Sequence, residues 1–325
     1  RRGSGIRPAT RWWSSMPNSP TARPLKSRPF ASVSDAPGRK LGGEEGPTEA
    51  SVGSVEAAEE LVLAIVAGDT DTVAALLEAT PELANRRLPG NDRSMLHYAT
   101  DWPGHYPEVA TTISLLVAAD AEPDVAMPPG DTPGVAETPL HWAASSNDVA
   151  AVEALLDAGA TVDPLGGIFG GCTPYFEAII FQQYAAAQLL LDRGAANWLP
   201  GAAALGHADM VAGFFDGDGN LRSDVGRLPH DDTPPNAPVF LDRAFQFACR
   251  SGHLEIARYL LARGADPTAT GPNDWSARDE AAGNGHDDVL RWLDELPEEQ
   301  PVGDESPGPG SAAGQRDSHG GSPVG

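Results

Sequence analysis

The sequence predicts an all-α solenoid, a stack of short helical units in which each unit buries its apolar face against the next. Three recurrences point to it. Thr138-Pro139 returns 35 residues later as Thr173-Pro174. Gly159-Ala160 returns 35 residues later as Gly194-Ala195, and 70 residues after that as Gly264-Ala265. Between these marks lie apolar residues at helical spacing, such as Val152, Leu155 and Leu156 at i, i+3 and i+4. A fixed period of roughly 20–50 residues marks an architecture that grows by stacking and needs no single central core.

The unit at 138–171 explains itself residue by residue. Thr138 can cap a helix through its hydroxyl. Pro139 then falls at the first helical position, where a missing N–H costs nothing. Val152, Leu155 and Leu156 give a second helix its apolar face, and Gly159 ends it in the left-handed conformation that glycine tolerates best. The run Thr138-Pro139-Leu140-His141-Trp142-Ala143, with a period near 33 residues, resembles the opening of an ankyrin repeat, and residues from about 55 to 296 are similar to a run of them. The resemblance implies antiparallel helix pairs joined by hairpin-like loops. It also implies that His97 and His141 are scaffold residues that bond backbone and tie neighbouring repeats together.

Six to seven repeats follow, about 56–92, 93–137, 138–171, 172–196, 197–240, 241–273 and 274–296. The first packs Val73, Leu76 and Leu77, turns at Gly68-Asp69, and should cap the array. The second opens with Ser94-Met95-Leu96-His97-Tyr98-Ala99, and its inter-helix turn is lengthened by Asp101 to Pro107. The loop that follows it, 122–137, is long and Pro-rich. The third is the closest to the motif. The fourth keeps Thr173-Pro174 but has Tyr175-Phe176 in place of Leu-His. The fifth lacks Thr-Pro and trails into a Gly/Asp/Pro loop at 216–238. The sixth carries Phe247-Ala248-Cys249 and Gly252-His253, and the last repeats Gly285-His286 after 33 residues.

Residues 1–54 and 297–325 are expected to be disordered tails. The first is rich in Arg, Ser and Pro and resembles an organelle transit peptide in composition, but its prolines oppose an amphipathic helix. The second is rich in Pro, Gly and Ser. Residues 1–43 carry seven Arg and two Lys against Asp35, whereas the remainder carries 13 Arg, no Lys and 45 acidic residues, a balance of −32. So acidic a body excludes nucleic-acid binding through the folded part and suits a basic protein partner. Cys172 and Cys249 fall in different repeats, so buried thiols in a reducing, cytoplasmic setting are expected. No apolar run reaches the roughly 18 residues of a membrane span.

Candidate sites are weighed against scaffold roles. His97, Asp101 and His105 would line one face of an unbroken helix and could ligate a metal, but Pro103-Gly104 breaks it. Asp216-Gly217-Asp218-Gly219-Asn220 begins like a calcium loop, yet Leu221 and Arg227 stand where Gly and Glu are required. Gly166 to Gly171 lies between repeats and is expected to be a mobile loop. Arg86, Arg87 and Arg93 form a small basic cluster suited to surface ion pairs. The chain contains none of the hydrolase, zinc-protease, P-loop or dinucleotide motifs.

The resemblance implies a concave surface built from loop tips and the exposed sides of the first helices. The residue after the motif histidine tends to face it, giving Tyr98, Trp142, Glu177, Gly201, Phe247 and Glu280, with Trp102, Phe169 and Asp274 on adjacent loops. Exposed rings there would anchor a partner, unless they pack under the long loops instead. The expectation is a monomeric, non-catalytic scaffold or adaptor that binds another protein, with no cofactor, metal, nucleic acid or membrane. Two alternatives stand beside it: a hydrolase or metal-dependent activity near His97, Asp101, His105 and His141, and an acidic decoy that neutralises a basic protein.

Overall fold

A computed structural model describes residues 49–296, apart from 89, 91, 129–133, 231, 232, 235, 272 and 273, with side chains from 55 onward. The expected tails 1–54 and 297–325 lie outside the described residues, with one exception. The backbone of 49–54 is helical and begins the first helix, so the ordered array starts earlier than the sequence placed it.

Among the described residues, seven helix pairs follow in chain order. They are α1 (Glu49–Ala67) with α2 (Thr70–Ala79), α3 (Met95–Ala99) with α4 (Val109–Ala118), and α5 (Pro139–Ser145) with α6 (Val149–Asp157). Then come α7 (Pro174–Ile180) with α8 (Tyr184–Asp192), and α9 (Leu199–Ala204) with α10 (Ala208–Gly213). The last two pairs are α11 (Pro238–Arg250) with α12 (Leu254–Leu261), and α13 (Ala277–Asn284) with α14 (Asp287–Asp294). The segment 197–240 therefore holds a helix pair despite its weak motif. First helices pack on first helices from α1 through α13, and second helices on second helices from α2 through α8.

Most of these helices are too short to persist alone, so caps and stacking must supply the stability. Ser94 accepts the His97 N–H, Asp148 the Ala151 N–H and Thr173 the Phe176 N–H. At α5 the capping box is closed by histidine: His141 Nδ1 accepts the Thr138 N–H at 3.1 Å. The second helices end at Gly159, Gly194 and Gly264 with φ of 94°, 97° and 90°. A Cβ at any of the three would meet nothing, so the left-handed backbone alone demands glycine there.

The motif histidines link the repeats. His97 Nε2 donates to Glu137 O at 3.1 Å, and His141 Nε2 donates to Cys172 O at 3.0 Å. Each acceptor is the carbonyl just before the next repeat's capping residue. Further along, the link passes to the second-helix histidines, and points backward. His253 Nε2 donates to Ala204 O at 3.2 Å, and His286 Nε2 to Arg250 O at 3.0 Å.

The apolar interior forms two clusters that meet at α9, one running mainly from Ala58 to Ala204 and the other from Leu199 to Val289. The Gly166 to Gly171 loop is pinned where a mobile one was expected. Ala136 N–H donates to Gly166 O at 2.8 Å and Gly167 N–H to Cys172 O at 2.9 Å.

His141→Ala removes the partner of the Thr138 N–H and of the Cys172 carbonyl in a fully buried position. It should lower unfolding stability by about 2–4 kcal/mol. Urea unfolding measures the loss, and an unchanged midpoint would show that the histidine link carries no stability.

Candidate functional site

The inner surface is set by a register rule. In six of the seven pairs the residue expected to face it stands five positions before a positive-φ residue at the inter-helix turn. Leu63 precedes Gly68, Trp142 precedes Asn147, Glu177 precedes Gln182, Gly201 precedes Gly206, Phe247 precedes Gly252, and Glu280 precedes Gly285. Tyr98 holds the equivalent place in the second pair, whose turn is enlarged.

Most of that expected ridge is covered. Tyr98, Glu177, Gly201, Phe247 and Glu280 are all buried, where the sequence placed them facing outward. Loops cover part of it, and neighbouring helices the rest. Ile168 of the pinned loop donates its N–H to Glu177 Oε1 at 2.6 Å. Phe169 is half-buried against Phe181 and Phe176, with ring centroids 5.4 and 6.3 Å away. His230, from the loop after α10, stands edge-on to Phe176, and Trp198 packs on Phe176, Phe240 and Phe247. Gly201 has no room for a side chain, because a Cβ would clash with the Tyr175 hydroxyl and the Trp198 indole.

Several apolar side chains stay open toward the N-terminal end. Leu63 is 61% exposed, Val66 40% and Trp102 78%. Trp142 is half-buried, edge-on to His97 at 4.8 Å, with the Arg93 guanidinium 5.1 Å from its ring centroid. Arg93 also lies 5.8 Å from the Tyr98 ring and pairs with Asp101. Leu63 and Val66 escaped the sequence reading because the first repeat has no motif histidine to count from. Counting back from Gly68 would have found Leu63. Asp274 is exposed, on the far loop before α13.

The remaining candidates resolve into structural roles. Both His97 ring nitrogens are committed, one to the Ser94 hydroxyl at 2.8 Å and the other to Glu137 O. His105 Nε2 donates to Ser146 O at 3.2 Å, and its N–H donates to Asp148 at 2.5 Å. Among the described residues, no three His, Cys, Asp or Glu side chains gather closely enough to hold a metal ion. Asp216 spends its carboxylate on the N–H groups of Asp218 and Asn220. Arg87 donates to Ala126 O at 2.8 Å, which ties the first inter-repeat loop to the second. Cys172 and Cys249 are buried free thiols, and burial pushes Cys249 up to about 12. Among the described residues, no helix is long and apolar enough to cross a membrane.

Electrostatics favours neutrality in the interior. Burial lowers His97 and His141 to about 4, with Arg87 and Arg93 adding to the effect at His97. Burial also raises Glu137 to about 7 and Glu177 well above the usual carboxylate range, each the other's neighbour. Glu177 Oε2 has no hydrogen-bond partner. The signs oppose. The histidines must stay neutral, so their contribution is complete above about 6.5 and is lost as pH falls toward 4. The carboxyls prefer their protons, so theirs is complete below about 4.5 and is lost as pH rises, at Glu137 through about 7. Glu177→Gln places an amide beside Glu137 and removes the Glu177 part of the second loss. The variant should match the parent near pH 5 and exceed it at pH 8 by about 1–2 kcal/mol. Thermal unfolding across pH checks this, and parallel pH profiles for the two proteins would refute it.

Comparison with known proteins places this geometry. Residues 110–199 match the family model described as ankyrin repeats (3 copies), and residues 245–293 match the one described as ankyrin repeats (many copies). The crystal structure of the human ASB11 ankyrin repeat domain is similar at 21% identity with a TM-score of 0.43, covering 73% of this chain and 99% of that one. No curated protein matches the chain.

Proposed function

The chain is an ankyrin repeat protein, and on that premise we propose that it is a non-catalytic scaffold or adaptor that binds a partner protein through the open N-terminal part of its inner surface. Ankyrin repeats generally mediate protein–protein interaction. The observation that carries the narrower reading is the exposure of Trp102 at 78%, with Leu63 and Val66 also open on α1. Large apolar side chains left in water on a rigid scaffold are natural anchors, since a few aromatic residues supply most of the binding energy of an interface. Half-buried Trp142, with Arg93 against its ring, adds an aromatic–cationic element of the kind enriched at such interfaces.

The acidic balance of residues 44–325 favours a partner with a basic surface, because complementary charge speeds encounter and suppresses wrong pairings. The scaffold is pre-organised by its interlocked repeats, so a partner binds with little ordering cost. The buried, unmodified thiols suit a reducing, cytoplasmic setting, and action as a monomer belongs to the same proposal.

Trp102→Ala and Leu63→Ser each alter an exposed side chain and should leave helical content intact. Crosslinked pull-down with quantitative mass spectrometry should show the specific partner reduced at least tenfold in the double variant. Equal recovery of every partner by parent and variant would remove the open strip from the binding surface.

A further inference from the structure

The closed C-terminal half carries a second feature that partner binding at Trp102 leaves unused. Arg250 ends α11 and is only 1% exposed. Its Nη2 donates to Ile179 O at 2.8 Å. Its Nε and Nη1 are buried with no hydrogen-bond partner. Each such N–H forfeits roughly 1–3 kcal/mol of solvation, so two on one side chain call for an explanation.

Arg243 lies on the same stripe of α11. Residues 243, 247 and 250 are spaced i, i+4 and i+7, which places them on one helix face. Both guanidinium groups sit against the Phe247 ring, Arg250 at 3.9 Å and Arg243 at 5.9 Å from its centroid. Two cations thus share one aromatic floor. The carboxyl facing both belongs to Glu280 of α13, and burial holds it toward its neutral form despite the arginines. Arg243 is held below the usual arginine range by burial and by the charge of Arg250. It is only half-buried, so the stripe opens to solvent at that end while Arg250 forms the closed end.

We propose that Arg243 and Arg250, converging on the Phe247 ring, form a binding site for an oxyanion, a carboxylate or phosphate group. A guanidinium presents a planar fork of N–H donors that matches paired oxygens. An oxyanion offers paired acceptors to such a fork, whereas a monatomic ion offers none. The aromatic floor and the buried setting strengthen such contacts by keeping water away. The surrounding body is strongly acidic, so attraction must come from these direct contacts and not from long-range charge. The site lies in the sixth and seventh helix pairs, and stands whether or not the strip around Trp102 binds a protein.

The test uses the full chain and inorganic phosphate at constant ionic strength, with chloride as the balancing anion. Calorimetric titration should give saturable one-to-one binding at millimolar or lower concentration. Arg243→Gln alters the half-exposed arginine and should weaken binding at least fivefold with an unchanged circular dichroism spectrum. Glu280→Gln removes the competing carboxyl and should tighten binding severalfold, an effect a purely structural ion cluster would not produce. Acetate in place of phosphate distinguishes the sources: binding of one and not the other identifies the group recognised. Absence of binding by both anions, or equal affinity of parent and Arg243→Gln, overturns the proposal.

Discussion

The array depends on one contact, repeated with variation: a buried side chain of one repeat holding a backbone carbonyl of a neighbour. At His141 a single ring performs two tasks. Nδ1 closes the cap of its own helix and Nε2 reaches Cys172 O in the next repeat. Local capping and repeat stacking therefore meet in one ring, and a second proton at Nδ1 would break the cap. No helix pair buries its apolar face unaided, so this link and the packing beneath it turn isolated hairpins into a domain. Where the motif position loses its histidine, the chain substitutes other devices. Asp279 keeps the cap and drops the link, Gln246 bonds Ala269 O, and Phe176 gives up hydrogen bonding for an aromatic cluster.

That substitution explains the asymmetry of the inner surface. The second and third pairs carry the ordinary link, and the N-terminal part of the array remains partly open at Leu63, Trp102 and Trp142. From Phe176 onward the rings need cover, and the loops at 164–172 and after α10 supply it. The two irregular loops are thus lids over an apolar interior. Their cost is a pair of carboxyls, Glu137 and Glu177, held close to protonation in an otherwise acidic protein.

Much of this was legible in the sequence. Thr138, Pro139, Gly159, Gly194 and Gly264 mark their positions by chemistry that only caps and left-handed turns require, and the described helices begin and end beside them. Exposure was less legible. Spacing says which way Tyr98 or Phe247 points from its own helix, but not whether a segment distant in sequence returns to cover it. His230 reaches Phe176 across more than fifty residues, and no local pattern announces that contact. Leu63 was missed for the opposite reason: the first repeat lacks the motif that calibrates the register, although Gly68 preserves it. The helical start at Glu49 hid within a segment whose composition resembled a tail.

The division of the interior into two apolar clusters also bears on mechanics. The clusters meet at α9, where Trp198 packs on Phe176, Phe240 and Phe247, and polar bonds from the end of α11 reinforce the junction: Arg250 to Ile179 O, and Ser251 to the Tyr184 hydroxyl at 2.8 Å. Packed apolar layers resist bending in proportion to their area, while two directional bonds act as a latch. Both bonds start at the end of α11 and reach α7 and α8, so the sixth helix pair is tied directly to the fourth as well as to its own neighbours.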